Sequence, residues 1–347
     1  DRSPSRGLGD VYKRQVLKYA RTLNQHTQLY DILKHRLINK GYIRSDKQKE
    51  DLNDLVLSEL HLIANNSYQG FEAQKLHLLF QATYYLNSGN YKSAIRYYQE
   101  LINLFNDNQH LILNPPIYYL SAIQGILDSL CIAGLYHETP FFLSKLEELT
   151  QNEYSTEFIL HLKTLIYIYK SNSLLQAGNF EQALELRDKQ ENELLKKVTS
   201  LGLESQLRLY LSFAVLGMYT KDYVQARKYM KKIFSLGKLF CAFPSYKIAR
   251  LVNLLLQAEL GNYDFFENEI ISIKRNIRFE KQTYITEKLI FKFIQGYPLP
   301  SYEKARNKRW LQYQKDIQKI EQDKYERQLL KTFDVLAWIE SLSLIHI

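Results

Sequence analysis

The chain has 347 residues, 46% of them apolar, and carries 46 Lys and Arg against 37 Asp and Glu, a formal net charge of +9. This apolar content suffices for a core and excludes a wholly disordered chain. The two cysteines, Cys131 and Cys241, are too few and too far apart for a disulfide framework or a thiolate metal site, which favours a reducing, cytoplasmic setting. No apolar run reaches the roughly 18 residues that a membrane span needs.

The two ends of the chain differ from everything between them. Residues 1–15 (DRSPSRGLGDVYKRQ) have no apolar period, and residues 342–347 (LSLIHI) form an apolar tail without a cap. The GLGD stretch follows no strand-like apolar run, and no Gly-Lys-Ser/Thr or third glycine comes after it, so it does not match a nucleotide loop. Both ends resemble translated sequencing-adaptor scars. We therefore expect a native internal fragment over 16–341, with residues 16–70 forming the N-terminal helices of a truncated solenoid.

One loop pattern recurs across residues 71–280. Its five copies are spaced by 45, 44, 43 and 40 residues, which is typical of stacked helical hairpins. The copies are NSGNY, IAGLY, QAGNF, YTKDY and ELGNY, with central residues Gly89, Gly134, Gly178, Lys221 and Gly261.

Each loop has a local physical interpretation. A glycine can take the left-handed conformation that ends a helix, and Lys221 departs from this rule. The asparagines that follow, Asn90, Asn179 and Asn262, are predicted to cap the next helix. A small residue lies five positions after the loop centre in three copies and would let two helices approach closely: Ala94, Ala183 and Ala226.

The order of loop, alanine and aromatic residue resembles the tetratricopeptide repeat, most closely in NSGNYKSAIRYY and QAGNFEQALEL. The resemblance implies an all-α fold, a right-handed α-solenoid of antiparallel helical hairpins, although the period of about 40–45 exceeds the family's usual length. The phrases ARLVNLLLQAELGNYDFFENEIISIKRNIR and FDVLAWIES also resemble a family of tetratricopeptide-like proteins from Bacteroidetes that has no assigned activity. That resemblance implies architecture and bacterial origin.

The basic charge is concentrated near the C-terminus. Residues 271–331 carry 15 Lys and Arg against 7 Asp and Glu, and the segment 281–341 is predicted to be helical. A basic patch beside an aromatic ring could bind nucleic acid, although the interleaved acidic residues are more typical of a solvated helix face. The patch consists of Arg306, Lys308, Arg309 and Trp310.

The sequence favours a protein-interaction scaffold without catalysis. No zinc-protease helix, nucleophile elbow or Walker loop is present, so we expect no enzyme activity, cofactor or metal. Solenoids bind a peptide or partner protein on their concave face. The alternative is a nucleic-acid-associated or regulatory protein that uses the basic segment or a domain upstream. Helical phase predicts these residues on the concave face: Thr83, Asn87, Gln124, Asp128, Asn172, Gln176, Arg208 and Tyr219.

Overall fold

The structure is a computed structural model that describes residues 4–40, 43–64, 70–237, 240–241, 243–280, 284–300 and 302–344. Within these residues all regular structure is helical, with 17 α-helices and no strand. This confirms the all-α prediction. The chain divides into two compact units, residues 1–129 and 130–347, and the division falls within one helix.

The first unit contains a long N-terminal helix that packs on two shorter ones. Helix α1 packs on α3 and α4, and α4 packs on α5. The helices are α1 (Pro4–Lys40), α2 (Asp46–Glu50), α3 (Asn53–Ala64), α4 (Phe71–Asn87), α5 (Tyr91–Asp107) and α6 (Ile117–Ala133), the last of which contains the division.

The second unit is built in two layers. Helices α8, α10, α12 and α14 pack side by side and form one layer, which we call the inner layer. Helices α9, α11 and α13 each pack on the helix that precedes them. Helix α15 packs on α14 and α17. The bounds are α7 (Thr139–Leu149), α8 (Thr156–Gln176), α9 (Phe180–Lys196), α10 (Leu203–Tyr219), α11 (Tyr223–Ser235), α12 (Pro244–Glu259), α13 (Asp264–Glu280), α14 (Ile285–Gln295), α15 (Glu303–Gln322), α16 (Arg327–Leu330) and α17 (Val335–Leu344).

The five predicted loop centres all end a helix in the left-handed conformation. The four glycines have φ between 71° and 77°, and Lys221 has φ 58°. At Gly178 the amide bonds Leu175 O and the next amide bonds Leu174 O, so two carbonyls at the end of α8 are satisfied. The left-handed turn is therefore confirmed at the four glycines, and Lys221, which was expected to depart from the rule, adopts the same conformation.

The predicted asparagine caps are only partly correct. Asn90 accepts a hydrogen bond from the Ser93 amide at 3.2 Å and caps α5. Asn179 makes no side-chain cap, and Asn262 instead donates to Gln257. Backbone bonds of the left-handed turn already fix the direction of the chain there, so a side-chain cap is not required.

Three predicted small positions lie in the helix interfaces. Ala94, Ala183 and Ala226 are completely buried. Around Ala226 the approach is especially close, because a Cβ atom placed on Gly217 would lie 2.9 Å from the Ala226 nitrogen. The backbones of α10 and α11 therefore meet where both residues are small.

Replacing Lys221 with Gly should raise the free energy of unfolding by about 0.5–1 kcal/mol. An L-residue in the left-handed conformation costs about 1–2 kcal/mol, and glycine removes this cost. Glycine also loses more backbone entropy on folding, which offsets part of the gain. Urea unfolding followed by circular dichroism would measure the change. The matched variant Gly178→Ala, at the equivalent turn, should lower stability instead. Equal effects of the same sign at both turns would contradict this interpretation.

Both predicted scar segments are partly helical. Helix α1 already begins at Pro4, and the side chains of residues 11–20 are exposed. At the other end α17 continues to Leu344, and Ser343 is buried and donates a hydrogen bond to Ile339 O. Residues 1–3 and 345–347, which belong to the same two segments, lie outside the described residues.

Candidate functional site

An open groove of about 630 Å³ lies in the second unit. The end of α6 and the turn that follows it line the groove, and α15 lines it with Trp310 and Ile317. The inner helix α8 contributes Gln176, and Leu330 and Leu336 complete the apolar part of the lining. Apolar and polar side chains therefore both line this groove.

The C-terminal segment, defined here as residues 326–341, contacts the inner helices and lines part of this groove. Its turn at residues 331–334 is held through main-chain atoms: Asn172 Nδ2 donates to the Lys331 carbonyl oxygen at 3.1 Å, and the Asp334 amide donates to the Tyr219 hydroxyl at 3.1 Å. Both side chains project from inner helices, α8 and α10. Two inner-layer side chains thus bind the backbone of a non-helical turn.

The aromatic residue of this turn, Phe333, is buried against the inner layer. The Phe333 ring lies 5.2 Å from the Tyr219 ring in an edge-to-face arrangement, and Phe333 is only 2% exposed. Asp334 then caps α17, because its Oδ1 accepts the Ala337 amide at 2.9 Å. The turn therefore combines a buried aromatic ring with an acidic helix cap.

Two further contacts attach the C-terminal segment to the inner layer. The Trp338 indole nitrogen donates to Glu259 Oε1 at 3.0 Å. The Glu326 carboxylate accepts the Ile285 and Thr286 amides at 2.6 and 3.0 Å, which places it on the first turn of α14. Burial raises the pKa of Glu326 above its ordinary value, although the hydrogen bonds from Thr286 and Ile285 oppose that shift.

Three inner-face residues hold the same position in successive repeats. Gln176, Tyr219 and Glu259 each lie two residues before a left-handed turn residue. Gln176 Nε2 donates to the Tyr219 hydroxyl at 3.3 Å, a contact that joins neighbouring repeats. Burial raises the pKa of Tyr219, so its hydroxyl stays neutral. We name Gln176, Tyr219 and Glu259 the inner row.

The inner row contains two predicted concave residues and one that the sequence analysis missed. Gln176 and Tyr219 were predicted, and Asn172 lies one turn before Gln176 on α8. Glu259 was missed, although its place two residues before Gly261 is the same as theirs. Arg208 lies elsewhere on α10, where its Nη2 donates to the Tyr169 hydroxyl at 3.0 Å.

The other four predicted concave residues belong to the first unit. Thr83 lies near the hydroxyl groups of Tyr30 on α1 and Tyr98 on α5. Asn87 donates to the Thr83 carbonyl at 2.9 Å. Gln124 and Asp128 are half-buried on α6. Helix α1 therefore covers the inner face of α4 at Thr83.

The predicted basic patch is not one exposed surface. Arg309 Nη1 donates to the Gly296 carbonyl at 2.5 Å, and Trp310 lines the groove. Arg306 is half-buried and Lys308 is exposed. Two of the four side chains thus contribute to packing or to the groove, which leaves Arg306 and Lys308 as the cations available to a phosphate.

Metal clusters and membrane spans are both absent from the part of the chain that the structure describes. No group of three or more His, Cys, Asp and Glu residues there could hold a metal ion. No helix in the same residues is both long and apolar enough to cross a bilayer.

Comparisons with known proteins gave no match: no family model fits the chain, and no curated protein or solved structure is similar to it.

Proposed function

We propose that this chain is a non-enzymatic protein-interaction scaffold of the cytoplasm, a right-handed tetratricopeptide-like solenoid whose concave face binds a peptide or partner protein. The recurrent turns and the two-layer second unit support the solenoid. In this proposal the binding surface is the inner row together with Asn172 and the groove beside them.

The observation that carries the proposal is the recognition of main-chain atoms by Asn172 and Tyr219. Side chains that bind a carbonyl oxygen and an amide of a non-helical segment serve any peptide backbone, so the same pair can hold a peptide from another molecule. Trp310 and Ile317, which line the groove, would supply apolar contact area.

A selection of linear peptides from a displayed library on the full chain would test this function. Selected peptides should bind with micromolar dissociation constants in fluorescence anisotropy. Asn172→Ala should weaken them about 2–10-fold, the effect of one lost hydrogen bond. Lys189→Ala on the outer helix α9, where the side chain is 75% exposed, is the matched control and should leave binding unchanged.

Two outcomes would contradict the proposal. In the first, no selected peptide depends on Asn172. In the second, the chain binds RNA or DNA with submicromolar affinity at about 150 mM salt, where weak electrostatic association is screened. The second outcome would favour the nucleic-acid alternative.

A further inference from the structure

We propose that the C-terminal segment is an intramolecular ligand of the inner row, and that the partner displaces it with a segment of the same chemistry. That segment is a peptide in which an aromatic residue directly precedes an acidic helix cap, with a tryptophan one turn later. This inference rests on the proposed function and specifies its partner class.

The chemistry follows from what each residue of the segment contacts. Phe333 supplies the ring that packs on Tyr219. Asp334 caps the helix that follows, which keeps the turn in the shape that the inner row binds. Trp338 lies four residues later, on the same face of α17, and reaches Glu259. Phe-Asp-x-x-x-Trp is therefore the pattern that the inner row recognises in this chain.

One contact of the segment does not depend on residue type. Asn172 donates to the carbonyl oxygen of Lys331, which every residue supplies. The contacts that depend on residue type are those of Phe333, Asp334 and Trp338. The buried apolar side chains of Val335 and Ile339 add to this selectivity.

The segment has a second attachment point at Glu326, which does not depend on its contacts to the inner row. Glu326 is fixed to the start of α14 by hydrogen bonds to Ile285 and Thr286, upstream of the turn at 331–334. Downstream of Glu326 the segment is held by the hydrogen bonds from Asn172 and to Tyr219 and by its buried apolar side chains, and it lines part of the open groove. If the residues after Glu326 leave the inner row, the row becomes exposed while the hydrogen bonds of Glu326 to the start of α14 remain.

A tethered occupant changes the affinity that a partner shows. A segment on a short tether competes at an effective concentration of roughly millimolar, so a free peptide binds more weakly than its contacts alone would allow. A change that weakens only the tethered copy must then strengthen binding of the free peptide. A purely structural C-terminal helix would give no such gain.

The test adds a free copy of the segment to the full chain. The probe is a synthetic peptide of residues 327–341, labelled with fluorescein for anisotropy. The chain variant Trp338→Phe loses the bond to Glu259 in the tethered copy alone and should bind the probe at least about fivefold more tightly than the wild type. Tyr219→Phe impairs the inner row for both copies and is the matched control, with no gain expected. A probe peptide carrying Phe333→Ala should bind at least about tenfold more weakly.

A second measurement follows the tethered segment directly. The chain has only two tryptophans, so incorporation of 5-fluorotryptophan gives two ¹⁹F signals, and Trp310→Phe assigns them. Unlabelled probe should shift the Trp338 signal toward that of a solvent-exposed indole.

The outcomes separate this inference from the proposed function. If library peptides bind through Asn172 but the Trp338 signal stays unchanged and Trp338→Phe gives no gain, the segment is a fixed part of the fold and the inference fails alone. If neither the probe nor any library peptide binds, both proposals fail.

Discussion

Replacing Phe333 with Ala should lower the free energy of unfolding of the second unit by about 3–5 kcal/mol, the usual effect of deleting a buried phenylalanine ring. The ring is 2% exposed and is the main apolar contact between the turn at 331–334 and Tyr219. Urea unfolding monitored by circular dichroism would measure the loss.

Phe180→Ala provides the control for this change. Phe180 also stacks on the Tyr219 ring, with centroids 6.0 Å apart, but it is 40% exposed. Its removal should therefore cost clearly less, about 1 kcal/mol or below. If the two variants lose the same stability, the turn is not seated on the inner layer as the structure shows.

Replacing Ala226 with Leu should destabilise the chain by about 1–3 kcal/mol, because the extra atoms must enter an interface that has no free space. Ala226 is 0% exposed, and a Cβ atom on the facing Gly217 would lie 3.1 Å from the Ala226 Cβ. Thermal and urea unfolding would both report the change.

The same helix offers a control for the overpacking. Val224 of α11 is 81% exposed, so Val224→Leu should change stability by less than about 0.5 kcal/mol. A near-neutral Ala226→Leu would mean that α10 and α11 can separate at low cost, contrary to the packing described above.

The turns could be predicted because their cause is local. A residue that ends a helix in the left-handed conformation leaves a short signature, and the constant spacing identified Lys221 as a fifth turn without glycine. The buried alanines follow from the same register, since helical phase fixes their direction once the turn is placed.

The occupation of the inner face could not be predicted from the sequence. Asn172 and Lys331 are 159 residues apart, and their contact uses a backbone carbonyl that no residue type identifies. Helical phase placed Thr83 on a concave face, but the phase of α4 carries no information about which other helix covers it. Tyr30 of α1 lies near Thr83 through a pairing between distant segments.

Gln176, Tyr219 and Glu259 recur at a regular interval along the inner layer of the second unit. Adjacent packed helices lie about 8–10 Å apart, and a helix advances about 1.5 Å per residue. In the proposed binding mode one repeat would therefore correspond to about five to seven residues of a bound helix. The contacts of Phe333 with Tyr219 and of Trp338 with Glu259, on successive repeats, have this spacing. Inserting one hairpin of this design would then lengthen the bound stretch by about that number of residues.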